Sequence, residues 1–350
     1  MDRCEKKSTV KNSYFQGIRG LAILSIIVSH CSFGNNSFGI NYTTWFGAFG
    51  VSVFIVMSGY LLMEKHSEDK IVWIQYVWRK VKRIYPLHFI TLIGALLLEH
   101  EVYFMSEMKT LGIVLINALG IQSWIPNSKY YFSLNAVSWY VSIVIFTAII
   151  APLLVVVFRK ISTRISVCIL VACILFEFAW YKLFSTSVDA HWIIYIFPLV
   201  RSVDFIAGAC IWKIRKSVTV KADSVIRGIA ITLLIIEMII SVFSNSEIFS
   251  AFAWIIPSLM LVWANEVKCE RVNTISRVLN SIFVFVGNIS FELFLLHQLC
   301  IRYSNRVLLH IGITNEALGA VLGVGAAFIV AFIWNRYIDN GLILRRVHRR

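Results

Sequence analysis

Runs of apolar residues, most of them 16 to 23 long, follow one another from residue 18 to residue 335 with only short polar gaps between them. That length matches a membrane-crossing helix, and the repetition leaves no stretch from which a water-soluble domain could be built. Composition carries the same message: of 350 residues, 58% are hydrophobic and 15% charged. In lipid every backbone N–H and C=O has to be satisfied within the protein, so long apolar runs become helices. The expected fold is all-α, a polytopic transmembrane helical bundle. The runs lie at 18–33, 45–63, 84–99, 136–158, 165–183, 191–212, 225–243, 248–264, 281–301 and 316–335, about ten spans. The polar stretch MDRCEKKSTVKNSYFQGIRG ahead of the first run is too long and polar for an ordinary cleavable signal, so that run is expected to stay as a helix.

Charge placement sets the orientation. The net charge is +14, from 33 basic and 19 acidic residues, and in a soluble chain it would point to nucleic acid. Here the basic residues sit in the gaps between apolar runs, which excludes that partner and suits the bias of Lys and Arg toward cytoplasmic loops. With ten spans and the N-terminus inside, 27 of the 33 Lys and Arg fall on the inner side, and Lys109, Lys129, Lys182, Arg302 and Arg306 on the outer. A shorter run at 112–124 contains Asn117, Gly120 and Gln122; counted as an eleventh span, it would turn every later basic loop outward. Residues 100–135 therefore read as an outward excursion covered by protein, with both termini cytoplasmic. The seven cysteines form no Cys-x-x-Cys pair and lie mostly in or beside apolar segments, as small core residues do. One membrane domain is expected over 1–350, with its core at about 14–336.

Ionisable residues inside such runs are the functional candidates. Arg19 and His30 are eleven residues apart, an advance of about 1100° that leaves both on one helical face about 16 Å apart. A neutral imidazole at His30 can take a proton from a hydroxyl that attacks an acyl carbonyl. The blander reading has Arg19 snorkelling to headgroups and His30 satisfied at a helix end. In WRKVKRIYP, residues 78–86, Arg79 and Arg83 share a face with Lys80 and Lys82 beside them. That group satisfies the positive-inside bias or, alternatively, grips the phosphates of a nucleotide-bearing donor. Gly47, Gly50, Ser58 and Gly59 mark a closely packed helix. Arg201 and Asp204, three apart, form an ion pair or line an acceptor cavity, whereas Glu177 and Glu237 have no local partner. His297 lies about 140° around a helix from Glu292, so those two do not form one site, and His297 is free to bond across the bundle. His30, His88, His191 and His297 show no metal-ligand spacing, and no metal is expected.

Six segments together resemble acyltransferase family 3, integral-membrane acyltransferases that include O-acetyltransferases of cell-surface polysaccharides. They are YFQGIRGLAILSIIVSH at 14–30, GVSVFIVMSGYLL at 50–62, RKVKRIYPLH at 79–88, SWYVSIVIFTAIIAP at 138–152, RSVDFIAGAC at 201–210 and VGNISFELFLLHQ at 286–298. They span nearly the whole chain in family order. The resemblance implies ten helices with cytoplasmic termini, in a bacterial cytoplasmic (inner) membrane. It also implies transfer of an acetyl group from cytoplasmic acetyl-CoA, a substrate rather than a tightly bound cofactor, to a hydroxyl of an extracytoplasmic or lipid-linked glycan. By the same resemblance Arg19 and His30 are the functional pair, and Arg79, Arg83, Tyr85 and Pro86 match the family's basic-loop motif; Arg79, Lys82, Arg83 and Tyr85 are the donor-binding candidates that follow. Trp139, Ser142, Arg201, Asp204 and His297 are then candidates for acceptor contact or support. Many members carry Trp-Ser-Leu-Ser-Val-Glu where this chain has Trp139 to Val144, so no carboxylate is expected at that place.

Two other classes fit the residues without the resemblance. A transporter or flippase uses buried charges in a helical bundle to pass its substrate unaltered. A membrane sensor or scaffold that has lost catalysis binds a partner without donor turnover.

Overall fold

The computed structural model describes residues 3–31, 44–68, 71–99, 107–217, 223–244, 255–264 and 274–339. The expected ends of the first and eighth runs, residues 32–33 and 248–254, lie outside them, as do the C-terminal residues 340–350 and the side chain of Glu237. Among the described residues the structure is helical with no strand. In chain order the helices are α1 (Arg3–Ser29), α2 (Thr44–His66), α3 (Trp73–Leu98), α4 (Glu107–Ala118), α5 (Ser128–Tyr131), α6 (Trp139–Lys160) and α7 (Thr163–Phe184). They continue with α8 (Pro198–Ser217), α9 (Asp223–Ser244), α10 (Ile255–Trp263), α11 (Thr274–Asn288), α12 (Ser290–His310) and α13 (Glu316–Trp334).

Six of the helical segments are long and apolar enough to cross a membrane, or seven when α11 and α12 are counted as one bent span. This is a multi-pass membrane protein, with fewer such spans among the described residues than the ten apolar runs suggest. The difference has local causes. The apolar parts of the first and seventh runs appear as shorter helices, Ser13–Ser29 and Val225–Ile236, and the described part of the eighth is the nine-residue α10. The third span also begins earlier than expected. Helix α3 starts at Trp73 and runs 26 residues, so the WRKVKRIYP motif lies within a continuous helix, with Pro86 in its interior.

The ninth run is broken. Helices α11 and α12 meet at Ile289 and diverge by 77°. Gly287, Asn288 and Ser290 are weak helix formers, and a break exposes backbone carbonyls that lipid offers no donor for. Asn335 supplies one, its amide donating to the Asn288 carbonyl at 3.3 Å and to Glu292 Oε1 at 2.8 Å.

Helix α2 is the most enclosed and packs along α1 and α8. Helices α7 and α13 are the least enclosed, turning residues such as Val171, Leu175, Val321 and Ile329 outward, as the lipid-facing side of a bundle requires. Two pairs of glycines decide how closely the inner helices approach. A Cβ on Gly59 would strike the Phe205 carbonyl, and one on Gly208 the Val56 carbonyl, so α2 and α8 cross backbone to backbone. Gly20 and Gly287 do the same for α1 and α11, against Phe283 and Gln16. Segment 107–138 folds against the bundle through buried polar groups. Gln122 donates to the Ser138 carbonyl at 2.9 Å, Ser123 Oγ to the Trp139 carbonyl at 2.8 Å, and Trp192 Nε1 to the Ser123 carbonyl at 2.9 Å.

Candidate active site

Where α2 ends and α3 begins, a cavity of about 610 Å³ opens at one end of the bundle. Helix period explains its lining on α3. Tyr76, Arg79, Lys80 and Arg83 fall at three- and four-residue intervals and share a face, and Lys82 also reaches the wall. Arg19 enters from α1, while Lys65 and His66 come from the last turn of α2. The acidic residues on the wall are Glu64 and Asp339. Glu64 already accepts from Trp212 Nε1 at 2.8 Å. Among the described residues no carboxylate forms an ion pair with Arg19, Arg79, Lys80, Lys82 or Arg83. Several of these cations are held only by weak local contacts. Arg79 Nε donates to the Gln75 carbonyl at 3.3 Å, Arg19 to Gln16 Oε1 at 3.4 Å, and Lys82 Nζ sits 4.9 Å from the centre of the Trp78 ring. Six basic side chains, with Lys65 the sixth, thus line one space, a basic vestibule, against two carboxylates, a surplus of positive charge that suits an anion.

Ser58, Tyr76 and Lys80 also line a second, smaller cavity of about 40 Å³ that runs inward beside Tyr140, Val144 and Phe205. The Tyr140 ring packs 4.9 Å from that of Phe294, and Phe294 lies 6.3 Å from the His297 ring. His297 in turn meets His30, with Nε2 of the first 3.3 Å from Nδ1 of the second and ring centres 5.0 Å apart. A chain of packed rings, Tyr140, Phe294 and His297, thus connects the wall of the smaller cavity to the half-buried His30. Along α1 the distance from Arg19 to His30 is about 16 Å, so the arginine belongs to the vestibule and the histidine to the interior.

The remaining candidates lie apart from both ends of this path. Tyr85 is turned away from the cavity; its hydroxyl donates to the Leu119 carbonyl at 3.2 Å and its ring packs on His88 and Phe89. Ser142 donates to Gln122 Oε1 at 3.3 Å and so helps seat segment 107–138, while the Trp139 ring packs on Tyr140 and Tyr195. Arg201 and Asp204 form a buried ion pair at 2.6 Å, with Arg201 also donating to Ser52 at 2.9 Å and lying over the Tyr195 ring. Glu177 of α7 faces Asp204 across the α7–α8 contact, the partner that its own sequence neighbourhood lacks. Glu292 is engaged by Asn335, away from His297.

Sequence reasoning passed over Lys65, His66, Tyr76, Tyr140 and Asp339, and assigned Ser58 to packing. Tyr76 was accessible from the period of the Arg79–Arg83 face. Tyr140 and Asp339 reach their places only through the packing of α6 and the turn after α13.

The sequence pattern of the acyltransferase 3 family, described as an acyltransferase domain, matches residues 12–336. The chain belongs to this family. Among characterised members, acyltransferase MdmB of Streptomyces mycarofaciens is 25% identical, over 83% of this chain and 79% of its own length. No solved structure matches the chain. For an acyltransferase, the vestibule and the imidazole pair have complementary uses. The cationic cavity suits an anionic ligand, and a neutral imidazole can accept a proton.

Proposed function

We propose that this acyltransferase moves an acetyl group from acetyl-CoA to a hydroxyl of an extracytoplasmic or lipid-linked glycan. The observation that carries this reading is the vestibule, where Arg19, Arg79, Lys80, Lys82 and Arg83 line a single cavity and, among the described residues, form no ion pair with a carboxylate. Its volume lies within the usual range for small-molecule sites, roughly 300–1,000 Å³. Guanidinium and ammonium groups in that arrangement suit the diphosphate and 3'-phosphate of CoA. The basic end faces the cytoplasm of a bacterial inner membrane, where the donor is found, and Arg19 fixes the donor rather than the reacting carbonyl. The pantetheine arm extends past Ser58 and Tyr140 and covers the ~16 Å along α1 to His30.

His30 acts there as general base. The acceptor oxygen attacks the thioester carbonyl carbon while its proton passes to His30. The tetrahedral intermediate then collapses with cleavage of the C–S bond, and His30 returns the proton to the departing CoA sulfur. The products are an O-acetyl ester and free CoA. Holding donor and acceptor in this geometry supplies much of the rate advantage, because it replaces an encounter in solution by a positioned attack.

The test is transfer of labelled acetyl from acetyl-CoA into envelope glycan by membranes carrying the wild-type or the His30→Ala protein, with free CoA followed in parallel. Label that appears with the wild-type protein and is lost with the substitution is expected. Wild-type rates from His30→Ala would remove His30 from the chemistry. No label from any envelope fraction would favour a transported substrate or another donor.

A further inference from the structure

The geometry points to His297 as a positioning residue that orients His30 and holds it in the tautomer whose Nε2 is the base; this rests on the acyl-transfer role given to His30 above. The assignment follows from what each ring nitrogen faces. His297 is fully buried in α12, and its Nδ1 lies 2.9 Å from the Leu293 carbonyl oxygen. A carbonyl only accepts, so Nδ1 carries the proton and Nε2 of the neutral ring presents a lone pair. That lone pair faces His30 Nδ1 at 3.3 Å.

The other neighbours of His30 Nδ1 agree. The Ile26 carbonyl is 2.8 Å away and can only accept. Ser29 Oγ is 3.2 Å away, and its own hydrogen is spent on the Ile26 carbonyl at 2.7 Å, leaving an oxygen lone pair toward the ring. Three acceptors around Nδ1 require a proton there, and Nε2 is left bare for the acceptor hydroxyl.

His297 contributes something that Ile26 and Ser29 do not. Those two belong to the last turn of α1, immediately before His30, and follow any movement of that turn. His297 comes from α12, 267 residues away, and meets the His30 ring edge-on with the planes 67° apart. It braces the ring from a second helix. When His30 Nε2 takes the acceptor's proton, Nδ1–H becomes a stronger donor, and the His297 lone pair is there to accept from it. The proton on Nδ1 stays in place throughout, and the one on Nε2 goes on to the CoA sulfur. The arrangement parallels the acid that orients the base of a catalytic triad, with a neutral imidazole in the third position. The 77° bend at Ile289 sets the direction of the helix that carries His297.

Two amide substitutions separate this role from packing. His297→Gln keeps an acceptor near the Nε2 position, whereas His297→Asn is too short to reach His30. With labelled acetyl-CoA and the envelope glycan fraction as probes, the glutamine protein is expected to keep kcat within about threefold. The asparagine protein should lose about 10- to 100-fold in kcat, as is usual for residues that orient a catalytic ligand, with KM for acetyl-CoA unchanged. Adding His297→Asn to His30→Ala should cost nothing further, because the residue acts through His30. Equal kcat for the two amide proteins, or an added loss in the double variant, overturns the proposal. Unchanged acetyl-CoA affinity shows that each variant is folded. Should the asparagine protein fail that check, the glutamine protein decides alone, since a kcat as low as that of His30→Ala rejects the brace and one near wild type supports it. An inactive His30→Ala protein beside a fully active His297→Asn protein sinks the brace alone. Full activity in His30→Ala sinks the base assignment together with it.

Discussion

Two groups of arginines lie within this apolar bundle, and they are handled in opposite ways. Arg201 is buried and paired with Asp204 at 2.6 Å, bonded to Ser52 and laid over the Tyr195 ring, with Glu177 behind the carboxylate, although its Nε has no hydrogen-bond partner among the described residues. Arg79 and Arg83 are exposed to a cavity that they share with Arg19, Lys80 and Lys82, and no carboxylate pairs with them among the described residues. A buried charge without a partner is too costly to keep, so pairing marks Arg201 as part of the scaffold. Like charges gathered around an open space repel one another, Glu64 and Asp339 offset only part of that surplus, and the vestibule is therefore the region proposed to take an anionic ligand. Charge alone does not distinguish the two groups; the company it keeps does.

The contrast is most directly broken at Arg201. Arg201→Met leaves Asp204 without its cation and is expected to cost about 3–5 kcal/mol, read as a large drop in thermal stability of the purified protein. Adding Asp204→Leu should recover most of it. Recovery failing entirely would mean that Arg201 does more than neutralise Asp204. In the vestibule the opposite pattern is expected. Arg79→Gln with Arg83→Gln should lower acetyl-CoA affinity about 100-fold, roughly tenfold for each charge-assisted contact, without loss of thermal stability. The wild-type affinity should also weaken with added salt more than that of the double variant. An unchanged affinity would remove the phosphate-site reading.

A third substitution joins the two regions. Gly59→Ala forces a Cβ onto the Phe205 carbonyl at the crossing of α2, which carries Ser58 of the vestibule, with α8, which carries Arg201. A loss of about 1–3 kcal/mol in stability is expected, with weaker donor binding alongside it. Stability that falls while donor affinity is untouched would show the regions to be independent. The smallest effect belongs to Tyr85→Phe. It removes one hydrogen bond to the Leu119 carbonyl, at most about 1 kcal/mol, and should leave acetyl-CoA affinity as it was. A marked fall in affinity would return Tyr85 to the donor site.

Much of this protein is legible one segment at a time. Apolar runs of membrane length require helices wherever they occur, because backbone groups in lipid have to be satisfied within the segment itself. The helical period alone places Arg79 and Arg83 on one face, and Arg19 and His30 on another, since 100° per residue is a local property. The break between α11 and α12 was less visible. Gly287, Asn288 and Ser290 weaken a helix without saying that it ends, and the amide that makes the break tolerable comes from Asn335, far along the chain. The reach of α3 back to Trp73 was hidden for a related reason, since charged residues in an amphipathic helix read as a loop when only hydropathy is followed.

By itself, then, the sequence determined an all-helical membrane protein of the acyltransferase 3 family and the residues that any site would draw upon. Only the tertiary structure decided which of them meet. It set Arg19 beside Arg83 rather than beside His30, paired Arg201 and Asp204 with Ser52 and Glu177, turned Tyr85 out, and brought His297 to His30. Those meetings depend on how closely helices cross and at what angle. Glycines such as Gly59 and Gly208 permit the approach, but the helix on the other side completes the contact, so neither segment contains it alone.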